Sequence, residues 1–369
     1  MKVPNTVQDQ KVHENAPPAQ TGAHPRPHRG RTGRLMRQLG ATAAGLCLSA
    51  FVHATDYQLG QGLRLGDTGF TLGGYSALTL DKLRGEKTRV ALDDLSLFVW
   101  WESETRWKVF AELDYENVLA HPSRDREGES RYLALERLYA DYAVNDALTL
   151  RVGKFLTPIG RWNQIHATPL VWTTSRPLIT EKTFPTNVTG LMATGTIAAM
   201  GDGIEYAVYG SRGNEIRVNP AIDPFTEVVG ARVTVPVTAD SRLGVSVARF
   251  EQEAHRDESK RLLGLDFMWA REGYEFSAEA VYRRSDEGGT RDEKGAFAQL
   301  VVPLTERLAA VGRLEAFHQA GSTDTVRIGV LGLNYHYTPA IVFKGEWVGT
   351  QDNRIDAPHG VMTSVSVLF

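Results

Sequence analysis

The chain of 369 residues carries 41 Lys and Arg against 44 Asp and Glu and contains a single cysteine. Its basic residues are scattered and outnumbered, which argues against a nucleic-acid binder. The sequence has no run of 18 or more apolar residues that could span a bilayer as a helix. Its mean hydropathy of −0.27 is that of a soluble protein, but strands that expose only alternate residues to lipid would give the same value.

The first 54 residues have the features of an export leader. Four arginines between positions 29 and 37 precede a short apolar run, 41–52, and Val52-His53-Ala54 forms a small-residue site suited to a signal peptidase. The stretch before Met36 is long for the basic region of a signal, and translation from Met36 would leave an ordinary signal peptide. We therefore predict a leader over 1–54, with its signal core at 36–54, and a mature domain over 55–369.

The predicted mature domain contains no cysteine, because Cys47 lies in the leader. Structural disulfides are therefore excluded, and backbone pairing and packing must stabilise the fold. The leader holds seven basic and two acidic residues, which leaves 34 basic and 42 acidic residues and a formal charge of −8 in the mature domain.

From Thr68 onward, segments of about ten residues with the character of β-strands recur along the chain. The weakest are 147–156 and 203–212, so the number could change by two. An even number is what single-chain bacterial barrels contain. We predict about sixteen strands, at 68–80, 89–101, 105–118, 131–144, 147–156, 189–199, 203–212, 226–237, 241–251, 261–271, 273–284, 294–304, 307–318, 325–337, 340–350 and 360–369.

The connections between these strands alternate in length. Short ones, such as 145–146 and 338–339, are rich in turn-forming residues. Between them lie eight longer, charged loops, including 119–130 and 253–260. This alternation is typical of a membrane barrel with short periplasmic turns, longer extracellular loops and both termini on the periplasmic side. A soluble sandwich or propeller gives no reason for it.

In the last strand, which ends on Phe369, one face holds Val361, Thr363, Val365, Val367 and Phe369, and the other includes Met362, Ser364 and Ser366. A globular sheet protein could also end on such a half-buried strand. Aromatic residues on the apolar faces cluster at strand ends, however, as they do in the two girdles of a membrane barrel. They are Trp101, Trp107, Trp269, Tyr274, Tyr337 and Phe369 next to short turns, and Tyr115, Tyr282 and Trp347 next to long loops.

The opposite face of the same strands is polar and charged. A charge that faced hydrocarbon would cost about 2 to 4 kcal/mol at the middle of the membrane, so these side chains must face a wet interior. The sequence therefore predicts an all-β, transmembrane antiparallel β-barrel. The predicted lumen wall includes Lys108, Glu112, Asp114, Arg232, Glu279, Arg283, Arg313, Glu315, Lys344 and Glu346.

One connection, 156–188, is far longer than the others and contains four prolines and two tryptophans. Long loops in compact proteins are usually functional or disordered, and this composition is too apolar for disorder. We expect this third long loop to fold into the lumen and narrow it. The predicted constriction residues are Arg161, His166, Arg176 and Lys182 in the loop, with Arg151 and Lys154 facing them from the preceding strand.

Sixteen strands, a long third loop and a terminal Phe together resemble the Gram-negative porins. In addition, Arg151-Val-Gly-Lys-Phe-Leu-Thr-Pro-Ile-Gly160 is similar to the strand-to-loop segment of the phosphate-selective porin O/P family and its relatives. The topological resemblance spans nearly all of the mature domain, and the local motif covers about ten residues. The resemblance implies passive diffusion of small hydrophilic solutes or ions across the outer membrane, usually through a homotrimer surrounded by lipid.

The sequence leaves alternatives within and beyond this class. Basic residues would line an anion-selective pore, but acidic and basic side chains are mixed on the predicted wall, so the sign of selectivity cannot be read from them. A channel specific for phosphate or an organic anion, an aromatic acid or a sugar is one alternative. Trp162 and Trp172 could then line the path of the solute, or they could anchor the loop against the wall. A structural or adhesive barrel with a closed lumen is another.

Enzymatic and metal-binding functions find little support in the sequence. His166, Thr168 and Ser175 lie close together along the chain, as do Ser211 and Asn214, but no strained nucleophile motif is present. No cluster of His, Cys and carboxylates has the spacing of metal ligands; His318 and His336, for example, are isolated. We therefore predict no enzymatic activity, metal or cofactor.

Overall fold

The computed structural model describes residues 56–369, except 122–131, 166, 200, 217–222, 353, 354 and 356. The predicted leader over 1–54 lies outside the described residues. In the described part of the chain almost all regular structure is β-strand. Two short strands, β1 (Asp56–Gln58) and β2 (Gly62–Arg64), precede sixteen longer ones.

The longer strands are β3 (Phe70–Leu83), β4 (Arg89–Glu102), β5 (Trp107–His121), β6 (Tyr132–Asn145), β7 (Leu148–Leu156), β8 (Asn187–Ile197), β9 (Ile204–Arg212), β10 (Phe225–Thr238), β11 (Ser241–Gln252), β12 (His255–Arg271), β13 (Tyr274–Ser285), β14 (Glu293–Pro303), β15 (Leu308–His318), β16 (Val326–Thr338), β17 (Ile341–Gln351) and β18 (Gly360–Leu368). All sixteen predicted strands are confirmed, including the two weakest, which correspond to β7 and β9.

The sixteen longer strands form a closed antiparallel barrel in which each strand pairs with its neighbours in sequence. The barrel closes where β18 pairs with β3, in a register that runs from Gly360 opposite Leu83 to Leu368 opposite Tyr75. Beyond this register, the backbone N–H of Phe369 donates to the carbonyl of Gly74 at 2.8 Å, and the N–H of Gly74 donates to the carbonyl of Phe369 at the same distance. The last residue thus extends the closing seam.

One predicted loop is wrong. Residues 253–260 were expected to form a long charged loop, but β11 ends at Gln252 and β12 already begins at His255, so most of this stretch belongs to β12. Gln252 lies opposite His255, and the register then shifts before Lys260 pairs with Phe250. A strand that continues into water can be polar on both faces, so its charges resemble those of a loop.

The two faces of the barrel wall differ sharply in chemistry. On β17, Lys344 and Glu346 are each 4% exposed, whereas Phe343 and Trp347 are 41% and 50% exposed. Successive residues of a strand point to opposite faces, so the charged side chains lie on the inner face and the apolar ones on the outer face. This is the arrangement of a transmembrane barrel, and the predicted fold class is confirmed.

Aromatic side chains are exposed near both ends of the strands. Trp107, Tyr274 and Tyr337, next to short turns, are 45%, 44% and 55% exposed, and Tyr282 and Trp347, next to longer connections, are 44% and 50% exposed. This distribution agrees with the two predicted girdles.

The helices of the described residues are short. Helix α1 (Leu178–Lys182) and four 3-10 turns, Gly66–Thr68, Trp162–Gln164, Thr168–Leu170 and Gly289–Arg291, are the helical elements there. Over the same residues, no helix has the length and apolar character needed to cross a membrane.

Candidate functional site

The connection between β7 and β8, residues 157–186, is tied together at its base. The N–H of Thr157 donates to the carbonyl of Thr186 at 2.8 Å, and its hydroxyl donates to the carbonyl of Pro185 at 2.7 Å. The side-chain amide of Asn163 donates to the carbonyls of Thr157 and Thr186 at 2.9 and 3.1 Å. These bonds bring the two ends of the segment together, so it leaves and rejoins the wall at one point.

Apolar side chains of the 157–186 segment are buried. Ile159 is fully buried, and Trp162 and Ile179 are 7% and 2% exposed. They belong to one hydrophobic cluster that also contains Phe297 of β14 and Phe317 of β15. The cost of ordering so long a connection is thereby offset by apolar burial.

Carboxylates of the inner wall accept hydrogen bonds from the backbone of the same segment. Oε1 of Glu279 accepts from the N–H groups of Arg161 and Trp162 at 2.9 and 2.6 Å. The two carboxylate oxygens of Glu346 accept from the N–H groups of Thr174 and Ser175, at 3.0 and 2.7 Å. Each carboxylate thus accepts hydrogen bonds from two consecutive backbone N–H groups. These bonds are charge-assisted, and they hold the segment against the wall.

Basic side chains of the inner wall bind the carbonyls of the segment. Arg313 of β15 donates to the carbonyl of Ser175 at 3.0 Å and to its Oγ at 2.7 Å, and pairs with Glu315 at 2.7 Å. Glu315 in turn accepts from the N–H of Leu178 at 2.9 Å. Lys344 of β17 donates to the carbonyl of Thr168. We call the inner-face side chains Glu279, Arg313, Glu315, Lys344 and Glu346, on β13, β15 and β17, the anchored wall.

Three of the predicted constriction residues that the structure describes have partners of their own. Lys154, 1% exposed, pairs with Glu215 at 3.3 Å. Arg151 forms a bidentate pair with Asp141 at 2.7 and 2.8 Å. Lys182 pairs with its neighbour Glu181 at 2.8 Å. His166 lies outside the described residues.

Arg161 and Arg176 remain as candidates that line open space. Arg176 is exposed, and its guanidinium lies 5.2 Å from the ring centroid of Trp162. The half-buried side chain of Arg161 lines a small cavity with Trp162 and Trp172. Their assignment to the constriction stays a prediction.

The predicted wall residues lie on the inner face, and most of the basic ones are paired. Arg232 pairs with Asp266, with one bond of 2.8 Å, and Arg283 pairs with Glu293 at 3.0 Å. Glu112, fully buried, accepts from Ser96 at 3.0 Å and from Arg137. Lys108 differs from the rest, because it is exposed near the end of β5 and pairs with Glu102 at 2.8 Å.

A cavity of about 310 Å³ separates the other side of the segment from β3, β4, β5 and β6. Six carboxylates line it, together with Tyr75, Thr168 and Met362. Arg176 is the one basic side chain among the lining residues that the structure describes. The six, which we call the acidic wall, are Asp81, Asp93, Asp94, Asp114, Glu116 and Glu136.

Alternation in the sequence predicted Asp114 as a wall residue but neither Asp93 nor Glu136, because β-bulges interrupt the period of two. The register shifts between Leu92 and Asp94, so Asp93 is an extra residue in β4, and Glu136 is an extra residue between Leu135 and Arg137 of β6. A bulge moves following side chains to the other face. A purely alternating pattern therefore places Asp93 on the outer face, where a charge in contact with lipid would be costly. That conflict was the one sign in the sequence that a bulge interrupts the strand.

Other residues considered from the sequence have structural partners. Ser175 Oγ accepts from Arg313, and the Thr168 hydroxyl donates to Asp94 at 2.9 Å, so both hold the segment in place. His336 packs on Trp172, with ring centroids 5.8 Å apart. In the described part of the chain, no group of three or more His, Cys, Asp or Glu residues is arranged to hold a metal ion.

Comparison with known proteins places the fold among outer-membrane proteins. The chain is similar to an anion-selective porin from Comamonas acidovorans (13% identity, TM-score 0.53, 81% of this chain and 98% of that chain). It is similar to the outer membrane channel DcaP of Acinetobacter baumannii, with 10% identity and a TM-score of 0.58, over 84% of this chain and 100% of that chain. It is also similar to the trimer form of OmpT, an outer membrane protein of Vibrio cholerae, with 8% identity and a TM-score of 0.58, over 81% of this chain and 99% of that chain.

These similarities concern structure and not sequence. No protein-family model matches the chain, and no curated protein matches it in sequence. At such identities the comparison shows a shared porin-like barrel fold, and it does not single out the phosphate-selective porin O/P family.

Proposed function

We propose that the chain forms a water-filled channel of the porin type in the outer membrane of a Gram-negative bacterium, through which small hydrophilic solutes or ions diffuse passively. The observation that carries this proposal is the closed barrel with charged residues on its inner face and apolar residues on its outer face. Charged groups are stable inside a membrane protein only where they are paired or hydrated. A wet lumen supplies the hydration.

In this proposal the 157–186 segment lies within the lumen and narrows it. Glu279 and Glu346 accept hydrogen bonds from the segment and Arg313 donates to it, which supports this location because all three are inner-face residues of the wall. A segment held by paired carboxylates and an arginine keeps one conformation while solute passes. The part of the lumen that stays open to solute then lies between Arg176 and the acidic wall.

The arrangement of charges favours a general channel over a phosphate-specific one. Selective anion pores present unpaired basic side chains to the solute, whereas Arg151, Lys154, Arg232 and Arg313 are each paired with a carboxylate. Phosphate or organic-anion specificity would depend chiefly on Arg161 and Arg176.

The remaining parts of the proposal concern export and assembly. Residues 1–54 would act as a cleaved leader and 55–369 as the barrel. By analogy with the trimer form of its structural neighbour, the protein would assemble as a homotrimer, with the exposed apolar outer face in contact with lipid and with other copies. We propose no catalytic function, because Ser175 and Thr168 serve as anchors of the segment.

Recording from planar bilayers tests the central proposal. The refolded 55–369 chain should give stepwise conductances, because each inserted barrel opens one water path. Changing both Arg161 and Arg176 to Glu should shift the reversal potential in a salt gradient toward preference for cations. A correctly folded protein that gives no conductance would contradict the proposal and favour a structural or adhesive barrel with a closed lumen.

A further inference from the structure

Three arginines lie side by side on the outer face of the barrel. Arg249 of β11 is directly opposite Arg261 of β12, which is directly opposite Arg284 of β13. All three side chains are exposed. Each alternates along its strand with an exposed apolar or aromatic side chain of the same face. We call these three residues the arginine row.

The arginine row lies at the edge of the exposed apolar surface. The neighbouring residues of the same face, Val247, Leu263 and Tyr282, are also directly opposite one another and are 47%, 46% and 44% exposed. Two residues along a strand cover about 7 Å, so the guanidinium groups are close to this apolar band. Beyond the row, the longer connection 286–292 joins β13 to β14. The row thus marks the border between the apolar band and one polar end of the barrel.

The charge of the arginine row is only partly compensated by the described residues. Arg249 donates from Nε to the Ser259 hydroxyl at 3.1 Å, and no arginine of the row forms an ion pair with a described carboxylate. Two carboxylates lie near the row, Glu251 on β11 and Asp292, whose Oδ2 accepts from the Tyr282 hydroxyl at 2.7 Å. Like charges directly opposite each other on neighbouring strands are destabilising. An anion from outside the chain would remove that cost.

Phosphate groups match the chemistry and the length of the row. A guanidinium presents paired N–H donors in a fixed plane, and these fit two oxygens of a phosphate. Neighbouring strands are about 4.8 Å apart, so the row spans about 10 Å. This is longer than one phosphate group and suits two phosphates side by side. Lys294 of β14, which is exposed and opposite Tyr282, adds a further positive charge at the same edge.

We propose that the arginine row binds the phosphate groups of an anionic lipid whose acyl chains lie along Val247, Leu263 and Tyr282. One molecule then meets both surfaces, the row with its headgroup and the apolar band with its chains. Basic clusters beside membrane-spanning elements bind anionic headgroups in this way. Free phosphate has no apolar part and gains only the contacts with the row. The inference goes beyond the proposed function, because it concerns the outer face and does not depend on conduction.

Native mass spectrometry of the 55–369 protein in detergent counts the lipids that stay bound. When dioleoyl phosphatidic acid and dioleoyl phosphatidylcholine are offered in equal amounts, phosphatidic acid should be retained at least about tenfold better, because its phosphate charge is not offset by choline. Equal retention of the two lipids would overturn the inference. Inorganic phosphate in large excess should leave the phosphatidic acid bound. Complete displacement would identify a site for free anions and overturn the assignment to a lipid.

Two matched variants locate the binding. The row variant should retain phosphatidic acid no better than phosphatidylcholine, and it carries Arg249→Gln, Arg261→Gln and Arg284→Gln. The control variant removes the same charge from exposed arginines that each have a carboxylate 3.0 to 3.9 Å away, and it carries Arg212→Gln, Arg256→Gln and Arg271→Gln. The control should keep the preference for phosphatidic acid. Unchanged preference in the row variant, or loss of preference in both variants, would overturn the proposal.

The unfolding temperature separates a binding role of the row from a structural one. In detergent without anionic lipid, the row variant should unfold at the same temperature as the unmodified protein or at a higher one, because repulsion between the arginines is removed. Phosphatidic acid should raise the unfolding temperature of the unmodified protein, because a ligand that binds only the folded state stabilises it. It should not raise that of the row variant. A row variant that is destabilised equally with and without phosphatidic acid would contradict the inference.

Discussion

The two sides of the 157–186 segment meet walls of opposite character. On the anchored wall, Glu279, Glu315 and Glu346 accept backbone amides, and Arg313 and Lys344 bind backbone carbonyls. On the acidic wall a cavity of about 310 Å³ remains, and a carboxylate oxygen of Asp114 has no described partner. The same types of side chain thus stabilise the segment on one wall and leave a charged space for solute on the other.

The comparison teaches that a charge on an inner wall has no fixed meaning. A glutamate that accepts two N–H groups is a structural residue, since its loss would release backbone. A carboxylate of similar burial that faces open space binds no backbone group, so it can interact with a solute. Only the partner, and not the residue type or its burial, distinguishes the two roles.

The largest effect should follow from breaking the centre of the anchored wall. Arg313→Leu leaves Glu315 buried without its cation and removes one of the two donors to the Ser175 carbonyl, the other being the Thr173 hydroxyl. Removal of one partner of a buried pair costs about 3 to 5 kcal/mol. Denaturant unfolding in detergent micelles should show that loss. Arg271→Leu, which changes an arginine that is 62% exposed, should have little effect, and equal losses in the two variants would contradict the assignment.

A smaller effect is expected from weakening one attachment of the segment. Glu346→Gln keeps one acceptor oxygen and removes the charge that holds the N–H groups of Thr174 and Ser175. Hydrogen bonds to charged groups contribute about 1.5 to 3 kcal/mol. Chymotrypsin should then cleave after Trp172, which lies next to this attachment, at least about tenfold faster, because cleavage follows the open population. An unchanged rate would mean that this glutamate does not hold the segment.

A change confined to the acidic wall should alter selectivity. The double variant Asp94→Asn, Glu136→Gln removes two negative charges that face the cavity. The ratio of potassium to chloride permeability, from the reversal potential, should fall by about twofold or more because the local potential becomes less negative. The ratio should stay as in the unmodified channel when Glu306→Gln removes a charge from the exposed turn.

The smallest effect is expected at Lys182, one of the predicted constriction residues. Its ammonium pairs with Glu181 at 2.8 Å, and both side chains are about two-fifths exposed. Exposed pairs of this kind contribute at most about 1 kcal/mol. Lys182→Gln should leave reversal potential and stability nearly unchanged, whereas Arg176→Gln should increase cation preference. A clear shift of the reversal potential in Lys182→Gln would contradict this expectation and support Lys182 as a constriction residue.

The barrel could be predicted from the sequence because its two signals are local. Alternation within β13 or β17 and the short turns between strands depend on neighbours in the chain, and all sixteen strands follow from them. The extension of β12 back to His255 was missed because a strand in water needs no apolar face. The local sequence pattern therefore predicted the strands within the barrel wall better than the strand ends that extend beyond it into water.

The site was less predictable because it depends on contacts between distant parts of the chain. Nothing near Arg161 in sequence indicates that its N–H meets Glu279, 118 residues away. Nor could alternation locate Asp93 and Glu136, which are displaced by bulges. The sequence predicted a long connection over 156–188, and the structure has a long connection over 157–186, between β7 and β8. The sequence also assigned Lys154 and Arg151 to the constriction, and in the structure each has a carboxylate partner.

The seam between β18 and β3 has a consequence for assembly. Its partners, such as Leu368 and Tyr75, are separated by nearly the whole barrel sequence, and closing so large a ring costs about 5 kcal/mol of chain entropy. Until it forms, two unpaired strand edges remain available to other chains. The seam with Phe369 should therefore be the last element to become protected from hydrogen exchange during refolding, and the step at which folding competes with aggregation.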